Sequence, residues 1–236
     1  MRDFFSLEGT FNKYAGFVAD TCILSFLWIF FSLPVITIGA STTALYYVST
    51  RRLANREGYI SADFWKAFKA NFKRATLLWL VLFFLVFVIV LNMMLAFDDP
   101  ELLGAMGGLV IPAQIVILSE VLFIGNYMFP VTARFDMDFK QTLKSCFFMA
   151  NRHLPTSIIC VATPVVLVFV SWFFLPLILV VPGISAMVSS HFIMRVFKKY
   201  RPEMDKDPML ELQEIEQKRA DEKRLGSIGL QKNEEE

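Results

Sequence analysis

The chain is 236 residues long, 56% hydrophobic, with 25 phenylalanines and a formal net charge of +1. So large an apolar share exceeds the needs of a soluble core and excludes an ordinary globular domain in water. The three cysteines, Cys22, Cys146 and Cys160, are odd in number and lack the short spacings of zinc or redox sites, so free thiols are expected and no metal or cofactor.

In chain order, Met1 to Lys13 carries Arg2, Asp3, Glu8 and Lys13 without a small-residue cleavage pattern, so the first apolar segment is expected to stay. Lysine and arginine are then absent from 14 to 50, from 75 to 133 and from 153 to 194, and they crowd the segments between. Such banding fits a bilayer, because Lys or Arg at its centre costs about 2.5–3.5 kcal/mol on insertion scales while cytoplasmic loops collect both. With every basic segment on the cytoplasmic side, each gap leaves and returns. The expected fold is therefore an all-α, multi-pass transmembrane bundle of six spans in the cell membrane, with both termini cytoplasmic.

A crossing helix needs about 20 residues, within a range of about 17–25. The expected spans are 14–33, 36–50, 75–97, 103–130, 155–181 and 183–197, and the membrane domain covers 1–200. Asp98, Asp99, Pro100 and Glu101 form an acidic outside turn in the middle gap. The segments 36–50 and 183–197 are short. Each follows a proline, Pro34 or Pro182, and opens with a glycine and a serine, Gly39 with Ser41 and Gly183 with Ser185, so both are expected as kinked spans or half-helices.

Two basic segments lead directly into spans. In 61–74, SADFWKAFKANFKR, the helical period sets Phe64, Trp65, Phe68 and Phe72 against Lys66, Lys69 and Lys73. In 138–152, DFKQTLKSCFFMANR, it sets Phe139, Leu143, Cys146 and Phe147 against Lys140, Lys144 and Asn151. Both read as cytoplasmic amphipathic helices. Their alternation of Lys with Phe and Trp favours anionic lipid headgroups or a partner protein over nucleic acid. The recurring order of span pair and surface helix reads as a weak internal duplication, of a kind that transport machinery uses to place a pathway between halves. Residues 201–236 form a charged cytoplasmic tail, in which Met209 to Leu225 offers an apolar stripe too short for a coiled coil.

Four polar residues stand out inside the spans. Glu120, among Ile117, Leu118, Val121 and Leu122, must pair, protonate or meet water. It is either a proton-linked or substrate-contacting group or the partner of an interhelical hydrogen bond from Ser, Thr or Asn. Asp20 beside Thr21 is expected to face the bundle interior. Asn126 lines a path or joins helices, and His191, beside Ser189 and Ser190, is expected as a packing hydrogen bonder. No nucleophile elbow, zinc-spaced histidine pair, phosphate loop or Cys-His arrangement occurs, so no enzymatic activity is expected.

Three stretches carry a resemblance: FSLPVITIGASTTALYYVSTRRL (Phe31 to Leu53), GYISADFWKAFKANFKRATLLWL and NYMFPVTARFDMDFKQTLKSCFFMANRHLP. With Pro34, Gly39, Ala40 and Ser41 in the turn, the DFWKAF-type helix, and Phe129, Pro130, Ala133, Arg134, His153, Leu154 and Pro155, the chain resembles the bacterial YesL-like family over roughly residues 5–200. The resemblance implies a small multi-pass membrane protein without an assigned activity, of a kind often encoded beside carbohydrate uptake systems. It defines no catalytic or binding residues. The expected function is a non-enzymatic accessory or regulatory subunit of a carbohydrate ABC importer. The alternative is a small transporter or channel using Glu120 and the broken segments at Pro34 and Pro182.

Overall fold

The computed structural model describes residues 10–54, 58–98 and 107–200. Every regular element among them is helical: α1 (Thr10–Ser32), a 3-10 turn (Val35–Thr37), α2 (Ile38–Leu53), α3 (Ile60–Asp98), α4 (Gly107–Arg134), α5 (Phe139–Arg152), α6 (Leu154–Ser171), a second 3-10 turn (Leu175–Leu179) and α7 (Val181–Tyr200). The chain divides into two units, Met1–Val196 and Phe197–Glu236. Of the second, the described part is the last turn of α7, which carries Lys198 and Lys199. Most of the acidic turn (99–101) and the whole tail 201–236 lie outside the described residues.

Pro34 ends α1. Its backbone is extended at φ −75° and ψ 116°, and the Thr37 hydroxyl donates to Phe31 O at 2.6 Å, with Pro34 O at 2.7 Å, so carbonyls left open at the helix end are satisfied. The chain reverses into α2, tied back to α1 by Trp28 Nε1 donating to Thr42 Oγ1 at 3.1 Å. Most of α2 is buried: Gly39, Ala40, Ser41 and Thr43 through Thr50. This explains why 36–50 looks too polar for a lipid-facing span. Its solvent is protein, and small residues let neighbouring backbones approach. A Cβ on Gly39 would overlap Ala75 O and Trp79 Cβ of α3, so only glycine fits.

The second break follows the same plan. Leu175 and Pro176 open a 3-10 turn as Leu33 and Pro34 do, and α7 follows, 20 residues long in place of the expected 183–197, with its glycine, Gly183, packed onto α1. Gly183 N–H donates to Ser25 Oγ at 2.9 Å, and a Cβ there would overlap Ser25 Oγ and Thr21 O. Pro176 is thus the structural counterpart of Pro34, whereas Pro182 lies inside α7. The expected crossing 155–181 is correspondingly shorter, since α6 ends at Ser171.

Residues 61–74 and 75–97 form one continuous helix rather than a surface helix and a separate span. At about 1.5 Å per residue, its 39 residues reach about 58 Å, nearly twice a hydrocarbon core of about 30 Å. The first half carries α2, in antiparallel contact from Gly39 with Ala75 to Arg51 with Asp63. The second half pairs antiparallel with α4: Trp79 meets Phe129 with ring centroids 6.4 Å apart, Gly125 lies on Leu82, and Gln114 Nε2 donates to Asn92 Oδ1. Arg74 closes this pair against Asp136 at 2.6 Å.

α4 turns through 135–138 into α5, which packs back along it. At His153 the chain bends into α6, because Pro155 has no N–H to offer the preceding turn. Ser157 Oγ donates to Ala150 O at 2.9 Å and so ties the start of α6 to the end of α5.

The outside of the helices is as apolar as the inside. Among the described residues, the buried polar side chains are serines and threonines, including Thr21, Ser25, Thr43, Thr142, Ser157 and Ser189. The outside of α3, α4 and α6 carries large apolar groups such as Phe84, Phe87, Val116, Val165 and Phe169. Among the described residues, three helices are long and apolar enough to cross a membrane: Ile60–Phe97, Leu109–Arg134 and Leu154–Ser171.

Candidate functional surfaces

The 3.6-residue period sets which side of α3 faces the hairpin. Its buried stripe runs Ile60, Phe64, Ala67, Phe68, Ala75 and Leu78. Phe31 of α1 stacks into it, with ring centroids 5.7 Å from Phe64 and 5.1 Å from Phe68. The four aromatics expected on one membrane-facing side therefore separate: Phe64 and Phe68 are core, while Trp65 and Phe72 stay exposed with Lys66, Lys69 and Lys73. The Lys69 ammonium lies 4.6 Å from the Trp65 ring centroid. Phe68, Lys69, Ala70, Phe72 and Lys73 line an open groove of about 390 Å³.

α5 differs from its expected face in the same way. Thr142, Cys146, Met149 and Ala150 are buried, since small and medium side chains permit close packing on α4. Leu143, Phe147 and Phe148 face outward beside Lys140 and Lys144, and Arg152 sits over the Phe148 ring at 5.6 Å. Burial pushes the Cys146 thiol up to about 12, which keeps it protonated and unreactive at neutral pH.

Arginines and lysines have separate roles. Arg51 meets Asp63 at 3.4 Å and lies 5.9 Å from the Tyr47 ring, Arg52 meets Asp20 at 3.1 Å and Gly58 O at 3.4 Å, and Arg74 meets Asp136. Each of these arginines joins two segments of the fold. Among the described residues no carboxylate pairs with Lys66, Lys69, Lys73, Lys140 or Lys144, all of which are exposed.

The four polar residues singled out within the spans do not converge. Glu120 accepts a hydrogen bond from Asn151 Nδ2 of α5, the interhelical bond to Asn that its sequence position allowed. Asp20 is half-buried on the rim with Arg52 instead of facing the bundle interior, because a guanidinium at the end of α2 is within its reach. Asn126 donates to Leu122 O of its own helix at 3.0 Å. His191 is exposed, its ring edge-on to Phe192. The sequence reasoning missed Ser189, whose hydroxyl hydrogen-bonds both Tyr46 and Cys160 and so links α2, α6 and α7. Its signal was the Ser189–Ser190 pair in an apolar run, which was weighed only as surroundings for His191.

A family described as "Protein of unknown function, DUF624" matches residues 21–93, from the middle of α1 through most of α3. This stretch holds the Pro34 turn, the Gly39 contact and the lysine face. The chain is also similar to the "Uncharacterized protein YesL" of Bacillus subtilis (strain 168), 25% identical over 150 residues, covering 61% of this chain and 68% of that protein. No solved structure matches. The two matches together support membership of a YesL-like family of unknown function.

Proposed function

We propose that the chain is a multi-pass integral protein of the cell membrane, non-enzymatic, that serves as an accessory or regulatory subunit of a carbohydrate ABC importer. Three outward-apolar helices support the membrane placement. The cationic segments flanking them favour cytoplasmic termini under the positive-inside bias. The partner class follows from the resemblance, and the observation that carries an accessory role is the outer face of α5. There Leu143, Phe147 and Phe148 are exposed beside two lysines without carboxylate partners, an arrangement suited to an apolar helix with an acidic rim.

Purification from native membranes in mild detergent tests this. The importer's permeases are expected to accompany the parent protein and to be lost when Phe147→Ala and Phe148→Ala are combined. Recovery of the protein alone, under conditions that preserve the importer, contradicts the proposal. A second reading, transport by the chain itself, draws on the matched 3-10 breaks after Pro34 and at Pro176, since broken helices are tolerated in membranes where they are buried in protein or line a cavity. Under that reading, proteoliposome flux of sugars or protons is present in the parent and lost in Glu120→Gln; absence of flux across a substrate panel removes it.

A further inference from the structure

We infer that the outer face of the first half of α3, formed by Lys66, Lys69 and Lys73 with Trp65 and Phe72, is a binding site for anionic phospholipid headgroups. The inference rests on the membrane reading above, in which the second half of α3 crosses the bilayer.

Continuity of the helix supplies a ruler. The uninterrupted apolar run begins at Ala75. At about 1.5 Å per residue, Lys73, Lys69 and Lys66 precede it by roughly 3, 9 and 13 Å along the axis. The headgroup layer adds about 5–8 Å on each side of the hydrocarbon, so Lys73 falls within that layer, Lys69 at its margin, and Lys66 beyond it but within about one screening length of its surface.

Charge then selects the ligand. The arginines around this half of α3 are engaged with Asp63, Asp20 and Asp136, whereas the three lysines have no carboxylate among the described residues. Three unneutralised ammonium groups spaced over seven residues of one helix side attract a polyanionic surface, and they are strongly hydrated point charges suited to mobile phosphodiesters rather than to one rigid fork. The aromatics divide in the same way. Phe72, 37% exposed, precedes Ala75 by roughly 4 to 5 Å and so lies within that layer, while Trp65, 43% exposed, stands roughly 15 Å out beside Lys69. With Phe64 and Phe68 withdrawn into the core, two large rings, Trp65 and Phe72, stay exposed among three lysines, whereas α5 exposes three large apolar groups, Leu143, Phe147 and Phe148, beside two.

The test is the association of spin-labelled phosphatidylglycerol, relative to spin-labelled phosphatidylcholine, with the full chain in phosphatidylcholine bilayers. The parent protein is expected to prefer phosphatidylglycerol. Removing each lysine is expected to cut the preference by about fivefold at low ionic strength, so that it vanishes in the combined variant Lys66→Gln, Lys69→Gln, Lys73→Gln. Molar salt, which shortens the screening length to about 3 Å, should suppress the parent's preference too. The variant Lys66→Arg, Lys69→Arg, Lys73→Arg should retain it, which separates loss of charge from loss of fold. Competition by excess inorganic phosphate equal to that by phosphatidylglycerol vesicles would reassign the site to a soluble anion and overturn the lipid. Equal preference in the parent and the Gln variant also overturns the proposal, as does loss of importer recovery in the Gln variant without any lipid preference in the parent. Failure of the underlying membrane reading gives a different signature. In a chain with the three native cysteines replaced by serine, a Lys69→Cys variant would then react with an impermeant thiol reagent from outside intact cells, whereas a failed lipid site leaves position 69 on the cytoplasmic side.

Discussion

The two halves of α3 belong to one helix and live in two solvents. From Ile60 to Arg74, aromatic and small residues turn inward in a stripe, and lysines with Trp65 and Phe72 are exposed on the remaining surface. From Ala75 to Phe97 there is no charge, and phenylalanine, leucine and valine face outward on most of the circumference, with α4 covering one side. Helical propensity does not distinguish the halves. What separates them is what each surface meets, so the same residue type is buried glue in one half and exposed apolar surface in the other.

The comparison is broken most severely by truncating one phenylalanine in each half. Phe64→Ala removes a fully buried ring packed against Phe31 and is expected to cost about 3–5 kcal/mol. Phe84→Ala, at a position 67% exposed, should stay within about 0.5 kcal/mol, both read as unfolding by detergent titration in mixed micelles. Equal costs would show that the second half is covered by something other than lipid.

Charge sharpens the same contrast. Phe84→Lys should disfavour membrane insertion by about 2.5–3.5 kcal/mol on a translocon-type assay if that side faces hydrocarbon. Trp65→Lys, in a half already lined by lysines, should insert normally. At the junction of the halves, Gly39→Ala forces a methyl into the Ala75 backbone and Trp79, an overpacking expected to cost about 1–3 kcal/mol in the same unfolding titration. The matching Gly183→Ala should cost a similar amount if the two breaks are equivalent.

Smaller effects are expected where the partners reach water or share the cost. Loss of the interhelical bond in Asn151→Ala should cost about 0.6 kcal/mol, with about 1.7 as an upper bound, because unfolded helices in a membrane find other partners. Arg52→Gln, which removes the half-exposed pair with Asp20, should fall between about 0 and 1 kcal/mol. Thiol labelling of the folded protein should spare the buried Cys146 and Cys160; rapid labelling of Cys146 would mean that α5 detaches from α4.

Much of this was legible in the sequence because it is written in charge and hydropathy. Helices in place of strands, the apolar runs of α3, α4 and α6, the break near Pro34 and the existence of α5 all follow from residue type and spacing. What escaped depends on three-dimensional company. The period shows that residues 61–74 are amphipathic, yet Phe31, more than thirty positions away, touches Phe64, Trp65 and Phe68 alike, and only the packing around them leaves Phe64 and Phe68 buried and Trp65 exposed. The low hydropathy of 36–50 reads as a poor span because hydropathy cannot tell lipid from a shell of neighbouring helices. Pro182 drew notice through its adjacent glycine, while Pro176, which opens the 3-10 turn, was hidden in an apolar run. Asp20 and Arg52 sit in segments assigned to different environments, so nothing local announced their contact.

The most direct test of the two-solvent account is a scan of single cysteines along α3, in a chain otherwise free of cysteine, probed in sealed native membranes with a water-soluble thiol reagent applied to one side at a time. The account predicts reaction at positions 65, 66, 69, 72 and 73 from the cytoplasmic side alone, and silence at exposed positions 80, 84, 87 and 91. Reaction at 66 or 69 from the outside, or steady reactivity through 84 and 87, would contradict it.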